Sequence, residues 1–307
     1  MQRIFITDVA PRDGLQNQPV GVSTASKLRL IELLAKAGVA SIEATSFVSP
    51  KAVPQMADAT ELVTALAGRD DIRVSVLAPN LRGLQRAISA GAREVAIVLA
   101  ATETMNRKNI NLSLEEAVSV SSNTIHAAKA AGLRTRAYVA VAFECPFEGL
   151  VPVARLTQLA GRMHDEGADE VVIADTIGAA SPTQVRNGLA ALRDVIPVGQ
   201  LGVHFHNTRG MGVANAWVAL ESGVRRFDSS AGGIGGCPFA PGASGNLATE
   251  DLVLMAEQCG FDTGISLDGL VEAIAFTEKV LGRSAGGEAL SWYRSRMSAR
   301  ARSDSPA

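Results

Sequence analysis

The feature that most constrains this chain is a repeat of form. A short β-branched or apolar run gives way to a stretch with helical spacing, then a glycine, then the next run. The runs are RIFITDV (3–9), ASIEAT (40–45), IRVSVL (72–77), EVAIVL (94–99), TRAYVAVAF (135–143), EVVIAD (170–175), LGVHFH (201–206) and VRRFDSS (224–230), eight candidate strands. Between the first two, SKLRLIELLAKAG (26–38) places Leu30, Leu33, Leu34 and Ala37 on one helical face. Ser23, Thr24 and Ser26 are available as N-caps there, and Gly38 sits where a C′ glycine belongs. AAKAAGL, MHDEGAD, ALESGV and LRGLQRAISAGAREV end the same way.

Near-continuous apolar strands alternating with helices predict a parallel sheet covered by helices. Eight such units fit a closed (β/α)₈ TIM barrel better than an open doubly wound sheet. The open sheet wants a glycine fingerprint after its first strand. PRDGLQNQP stands there instead, with one glycine, and no Walker A pattern occurs. One barrel domain is expected over residues 1–283, with 248–260 and 266–283 as closing helices. The Arg- and Ser-rich remainder, 284–307, is expected to be a poorly ordered tail.

Composition narrows the partners. The 307 residues carry a formal net charge of −2, so electrostatics gives no reason to propose nucleic acid or a membrane surface. No apolar run approaches the roughly 20 residues of a membrane span. The chain is strand-like by Ile4, which leaves no room for a targeting peptide and predicts a cytoplasmic location. Three cysteines without a CxxC pair predict free thiols.

A barrel of this kind works at the carboxyl ends of its strands. After the first strand come Arg12, Asp13 and Gln16. Glu43 lies on the second. Arg136 lies on the fifth, with Cys145 just beyond. The sixth ends in Asp175 and Thr176, and the seventh in His204 and His206. Asp228 follows on the eighth, then the loop GGIGGCPFAPGASGN (232–246) with Cys237 and Asn246. Residues two apart on a strand share a face, so the two imidazoles converge. The alternative is a pair of satisfied core histidines. Two ligands are too few for a metal, and the completions are Asp13 and Asn246, because strands seven, eight and one are neighbours in a closed barrel. Asp13 as a helix cap, and Asn246 as N-cap of a helix starting near Leu247, are the competing roles. One carboxylate, one amide oxygen and two imidazoles suit a six-coordinate Mg²⁺ or Mn²⁺, with Zn²⁺ and Fe²⁺ as further fits.

The glycine-rich loop reads as a flexible connection, a phosphate cradle or a lid carrying Cys237. Cys259, on a helix in LMAEQCG, is expected to be buried, and Cys145 to be structural or supporting. Arg12 offers a permanent charge for an oxyanion or enolate; the competing role is a salt bridge to Glu43 or Asp175. A metal, an arginine and a proton donor are what retro-aldol or retro-Claisen cleavage needs.

PRDGLQNQ (11–18), IEATSFVSPKAVPQMAD (42–58), RKNIN (107–111), CPFEG (145–149), ADTIG (174–178), the H-x-H with TRG, and DSSAGGIGGCPFAPGASGNLATEDL (228–252) resemble the 3-hydroxy-3-methylglutaryl-CoA lyase family. The resemblance runs from the first strand to about residue 283. It implies a metal-dependent (β/α)₈ lyase that splits its acyl-CoA substrate into acetyl-CoA and acetoacetate. It implies Asp13, His204, His206 and Asn246 as ligands of Mg²⁺ or Mn²⁺, Arg12 as the group that stabilises the enolate, and Cys237 as the acid/base on the loop. Glu43, Asp175, Arg136 and Gln16 match positions that shape or support the site. One departure is Asn207-Thr208 after the second histidine, where the lyases carry Asp-Thr. Asn there resembles the acyl-CoA-condensing synthases of the isopropylmalate and homocitrate type. PGASGN, where synthases carry an acidic, arginine-containing segment, and the chain's end at 307 favour the lyase. A close 3-hydroxy-3-alkylglutaryl-CoA is a second substrate option, and a non-enzymatic barrel would predict broken ligand positions. The apolar helix surface predicts a homo-oligomer, with a dimer as the expectation.

Overall fold

The computed structural model describes residues 2–236 and 245–303. All eight expected runs form strands: β1 Phe5–Asp8, β2 Ser41–Ser46, β3 Arg73–Leu77, β4 Glu94–Ala100, β5 Arg134–Ala140, β6 Glu170–Asp175, β7 Leu201–Phe205 and β8 Arg226–Ser229. Every neighbouring pair is parallel, and β8 pairs with β1 to close the barrel.

Eleven helices accompany the strands among the described residues: α1 Thr24–Lys36, α2 Ala59–Leu66, α3 Leu81–Ser89, α4 Glu103–Ile110, α5 Leu114–Ala130, α6 Val153–Asp165, α7 Pro182–Leu192, α8 Gly212–Glu221, α9 Thr249–Gln258, α10 Leu267–Leu281 and α11 Glu288–Ser303. The first follows its sequence closely. The Ser23 hydroxyl accepts from Ser26 N, and Gly38 takes a φ of 95° just past the end. Leu30, Leu33, Leu34 and Ala37 are all buried in the main core, between strands and helices. None of the described helices is long and apolar enough to cross a membrane.

Inside the barrel the apolar filling is thin. Leu77, Ala96, Tyr138 and Val172 form a separate small cluster. Around it the lumen is polar, and register explains which groups meet. Arg136 lies beside Glu170 across β5 and β6, and His204 beside Asp228 across β7 and β8.

The structure departs from expectation at several places. β5 stops at Ala140 rather than 143, because Val141 takes a left-handed φ of 47° and turns the chain out of the sheet. Two short pairs lie outside the barrel, Gln2–Arg3 with Phe261–Asp262 and Glu144–Cys145 with Gly149–Leu150. The tail is not a loose end: α11 occupies Glu288–Ser303. Leu290 is buried, and the Asp251 carboxylate accepts from Glu288 N and Ala289 N at the helix start. Cys259 is exposed rather than buried, since α9 ends at Gln258 and leaves it at the cap. Cys145 is buried, within 3.1 Å of the Thr102 hydroxyl.

Candidate active site

The site is built from the carboxyl ends of β1, β2, β7 and β8. After Asp8 the chain makes one tight turn, Ala10–Gly14, which swings Arg12 and Asp13 over the barrel mouth. Asp8 fixes that turn. Its carboxylate accepts from Ala10 N, Ala231 N and the Thr249 hydroxyl, so it ties the first strand to the start of the glycine-rich loop and to α9. Burial raises Asp8 to about 6 against these three hydrogen bonds. Gly14 must be a glycine: a Cβ there would lie 2.6 Å from Ile234 Cγ1.

Asp13 meets three groups. Its Oδ1 takes a short hydrogen bond from Arg12 Nη1 and its Oδ2 accepts from Asn246 Nδ2 at 2.8 Å. His206 Nε2 lies 4.0 Å from the same Oδ2. Burial alone would raise the carboxyl, but Arg12 and the two histidines outweigh it and hold it at about 2. Arg12 is itself buried, and its Nε and Nη2 reach Glu43 Oε2 at 2.8 and 2.6 Å. The ion pair with Glu43 therefore exists, and Arg12 still borders Asp13. Burial raises the Glu43 carboxyl despite Arg12, and its second oxygen has no partner.

The histidines converge as their spacing requires. Their ring centroids are 5.2 Å apart, and both are buried. Burial, then the neighbouring His204, lowers His206 to about 4, which leaves the ring neutral and available as a ligand. For His204, burial opposes the charged ring, but Asp228 and Asp13 outweigh it and raise the group. Ligand atoms of Asp13, His204 and His206 all lie within 4.8 Å of one another.

Asn246 joins them from the far end of the glycine-rich loop. It is not a helix cap, because α9 starts at Thr249 with Ala248 before it. A bridge to His206 and the bond from Leu247 N to Phe205 O pin its backbone to β7. Its amide N–H groups donate to Asp13 Oδ2 and Ile234 O, so the flip of the amide is set. Gly235 makes room, with a φ of 130° and no space for a Cβ beside Asn246 Nδ2. The result is a buried Oδ1 with no partner, and His206 Nδ1 is equally without one. A buried amide oxygen with no partner, beside a carboxylate, costs free energy unless a ligand satisfies it. One carboxylate, one amide oxygen and two imidazoles match the donor preferences of a divalent cation.

Other expected residues stand further off. Asp175 is buried, but its two oxygens accept from Ala179 N and Ala180 N and shape the turn after β6. Gln16 is half-buried and joins none of the hydrogen bonds of the ring; the neighbouring Gln18 is the one engaged, to Gly14 O. Arg136 lies below the site, between Glu170 and Asp228. Cys237 lies outside the described residues. Sequence reasoning does not single out Asp8 or Tyr138, and it places Asp228 without its partners. The Tyr138 hydroxyl and Arg136 both donate to Asp228, a relation that depends on strand register. Asn207, the departure from the lyase pattern, turns its Oδ1 to Gly212 N at the start of α8. An amide oxygen fills that role as a carboxylate would, so the substitution leaves the ring intact. A cavity of about 770 Å³ opens beside the ring, lined in part by Asn207, Gly233, Asn246 and Arg283.

Fold and site together define a class: a (β/α)₈ barrel with a candidate metal site, Asp13, His204 and His206, at the carboxyl mouth of its strands. The family model described as HMGL-like matches residues 3–276, and the chain belongs to that family. It is 45% identical over 282 residues to the mitochondrial hydroxymethylglutaryl-CoA lyase of Rattus norvegicus, which covers 92% of this chain and 87% of the rat protein. The crystal structure of the Bacillus subtilis HMG-CoA lyase matches with a TM-score of 0.92 and 40% identity, over 96% of this chain and 99% of that one. An HMG-CoA lyase of Acinetobacter baumannii, solved in complex with coenzyme A and 3-methylmalate, matches with a TM-score of 0.89 and 39% identity, over 94% of each chain.

Proposed function

We propose that this chain is a divalent-metal-dependent lyase that cleaves 3-hydroxy-3-methylglutaryl-CoA, or a close 3-alkyl analogue, to acetyl-CoA and acetoacetate or the matching keto acid. The observation that carries the reading is the ring of Asp13, His204, His206 and Asn246, with an orphaned amide oxygen on Asn246 and Arg12 at its edge. Relatives of the same fold, matched over most of both chains, bear the lyase name, and one was solved with coenzyme A bound.

The four ring residues would hold Mg²⁺ or Mn²⁺. When bound, the cation acidifies the substrate's tertiary hydroxyl. The carbon–carbon bond next to that carbon then breaks. Its electron pair passes to the departing thioester as an enolate, and the alcohol oxygen becomes the ketone of the keto acid. Arg12, fixed by Glu43, presents its charge where the enolate oxygen develops. Cys237, between Gly236 and Asn246 in the sequence, acts as the acid/base. Its thiolate takes the hydroxyl proton as the bond breaks, and the resulting thiol returns that proton to the enolate carbon, which completes acetyl-CoA. Glu43 positions Arg12, Arg136 supports the histidine side through Asp228, and Asp175 holds the β6 turn. A cytoplasmic location belongs to the same reading.

The test is to incubate the metal-loaded protein with the methylglutaryl thioester and follow both products by mass. Release of acetyl-CoA and acetoacetate supports lysis. Turnover seen only with acetyl-CoA plus a 2-oxo acid assigns the chain to the condensing synthases instead.

A further inference from the structure

The two histidines differ in what stands behind them. His206 Nδ1 has no partner. His204 Nδ1 lies 3.2 Å from Asp228 Oδ2. Asp228 is buried, and each of its oxygens is held by a second group. Arg136 Nη2 donates to Oδ1 at 2.7 Å, and the Tyr138 hydroxyl donates to Oδ2 at 2.7 Å. Arg136 Nη1 donates in turn to the Tyr138 oxygen at 2.8 Å, and its Nη2 also reaches Glu170 Oε1.

The direction of every bond in this network is forced. Arginine has no acceptor. The Tyr138 oxygen accepts a hydrogen bond from Arg136, and its own proton points to Asp228. Asp228 is thus an acceptor toward Arg136 and toward Tyr138. Held by a buried guanidinium, it is an acceptor toward His204 as well. The ring can face it at 3.2 Å only with a proton on Nδ1. That leaves the Nε2 lone pair on the far side of the ring.

We propose that Asp228 is a positioning residue, which Arg136 and Tyr138 fix as an acceptor, and which locks His204 in the Nδ1–H tautomer so that Nε2 is kept for the cation. The inference rests on the reading of His204 as a ligand given above. Carboxylates behind metal-bound histidines set tautomer and ring orientation in this way. Asp228 touches neither substrate nor cation; it acts through His204.

The substitution Asp228→Asn has an unusual consequence. The amide oxygen must face Arg136, which can only donate, so the amide NH₂ takes the place of Oδ2. His204 Nδ1 must then accept, and its proton moves to Nε2, where it blocks coordination. Tyr138→Phe is the control, since it keeps the carboxylate acceptor in place. Two readouts apply to the chelated, full-length protein: the ¹⁵N signature of the His204 ring in mildly alkaline buffer, and Mn²⁺ affinity by electron paramagnetic resonance of the free ion. The wild type should show Nδ1–H. Asp228→Asn should show Nε2–H and bind Mn²⁺ about 10- to 100-fold more weakly. Tyr138→Phe should keep Nδ1–H and lose no more than about threefold. An Nε2–H wild type overturns the proposal, and so does a folded Asp228→Asn with wild-type Mn²⁺ affinity. If Asp228→Asn does not fold, the wild-type ring and Tyr138→Phe decide. A wild type that binds no Mn²⁺ at all overturns the metal reading instead, a result distinct from either.

Discussion

At the residue scale, the proposed mechanism gives Arg12 the chemistry, and its ion pairs give it part of the fold. It is buried against Glu43 and Asp13, yet the enolate charge it would meet exists only late in the reaction. A group aimed at such charge helps the transition state more than the bound substrate. Arg12→Gln should lower kcat by about 10²–10³ with KM nearly unchanged. It should also cost roughly 3–5 kcal/mol of stability, because Glu43 is left buried without its partner. Arg12→Lys separates the two effects. The charge stays, so melting temperature should recover toward the wild type. The planar fork is lost, so kcat should recover only in part. Wild-type kcat in Arg12→Gln, with a clear loss of thermal stability, would leave Arg12 a structural ion pair alone. Cys237→Ser should lower turnover by about 10²- to 10⁴-fold with a milder effect on binding; near-normal turnover in Cys237→Ala would remove the thiol from the mechanism.

At the element scale, Glu250 on the first turn of α9 joins three segments. Its oxygens accept from Gly232 N, at the root of the glycine-rich loop, and from Gly287 N, just before α11. Burial raises its carboxyl from the ordinary 4.5 to about 7 despite these bonds. The folded protein therefore holds this proton to higher pH than the unfolded chain does. The stabilisation is fully present below 4.5 and is lost as pH rises through about 7. Glu250→Gln has no such dependence. The stability of the wild type relative to Glu250→Gln should fall by roughly 2–3 kcal/mol between about pH 5 and pH 8. Denaturant titrations of both proteins check it, and a constant difference would show that Glu250 is ionised throughout. The same element marks where the sequence stops being readable. The barrel strands are apolar runs with a period, so all eight stand out. The two-residue ladders have no period. Helix α11 is anchored through backbone N–H groups at 287–289, which no side-chain pattern announces. Its Arg-rich composition reads as a solvated tail, yet Leu290 is buried, Tyr293 donates to Asp268 and Arg294 pairs with Glu278.

At the scale of the whole molecule, closure of the barrel makes the site. Asp13, His204, His206 and Asn246 are spread over 234 positions, and the β7–β8–β1 neighbourhood brings them together. The H-x-H pattern makes its two candidate ligands legible, because strand geometry alone puts them on one face. Asp13 and Asn246 follow from strand adjacency once the barrel is assumed. Asp175 ends the sixth strand and holds the turn after it, and Gln16 stands half-buried after the first strand, outside the hydrogen bonds of the ring. The Asp228 network is hidden because it depends on register across three strands. Because the proposed ligands sit on a prebuilt rim, His206→Ala and Asp13→Ala should lose most metal affinity while the fold persists. Circular dichroism alongside metal titration reads both. The most direct test of the account is to strip the protein with chelator, verify by elemental analysis that it is metal-free, and assay cleavage of the methylglutaryl thioester before and after adding Mg²⁺ or Mn²⁺. The account predicts no cleavage in the stripped protein and recovery on addition of either ion; full activity in the verified metal-free protein would contradict it.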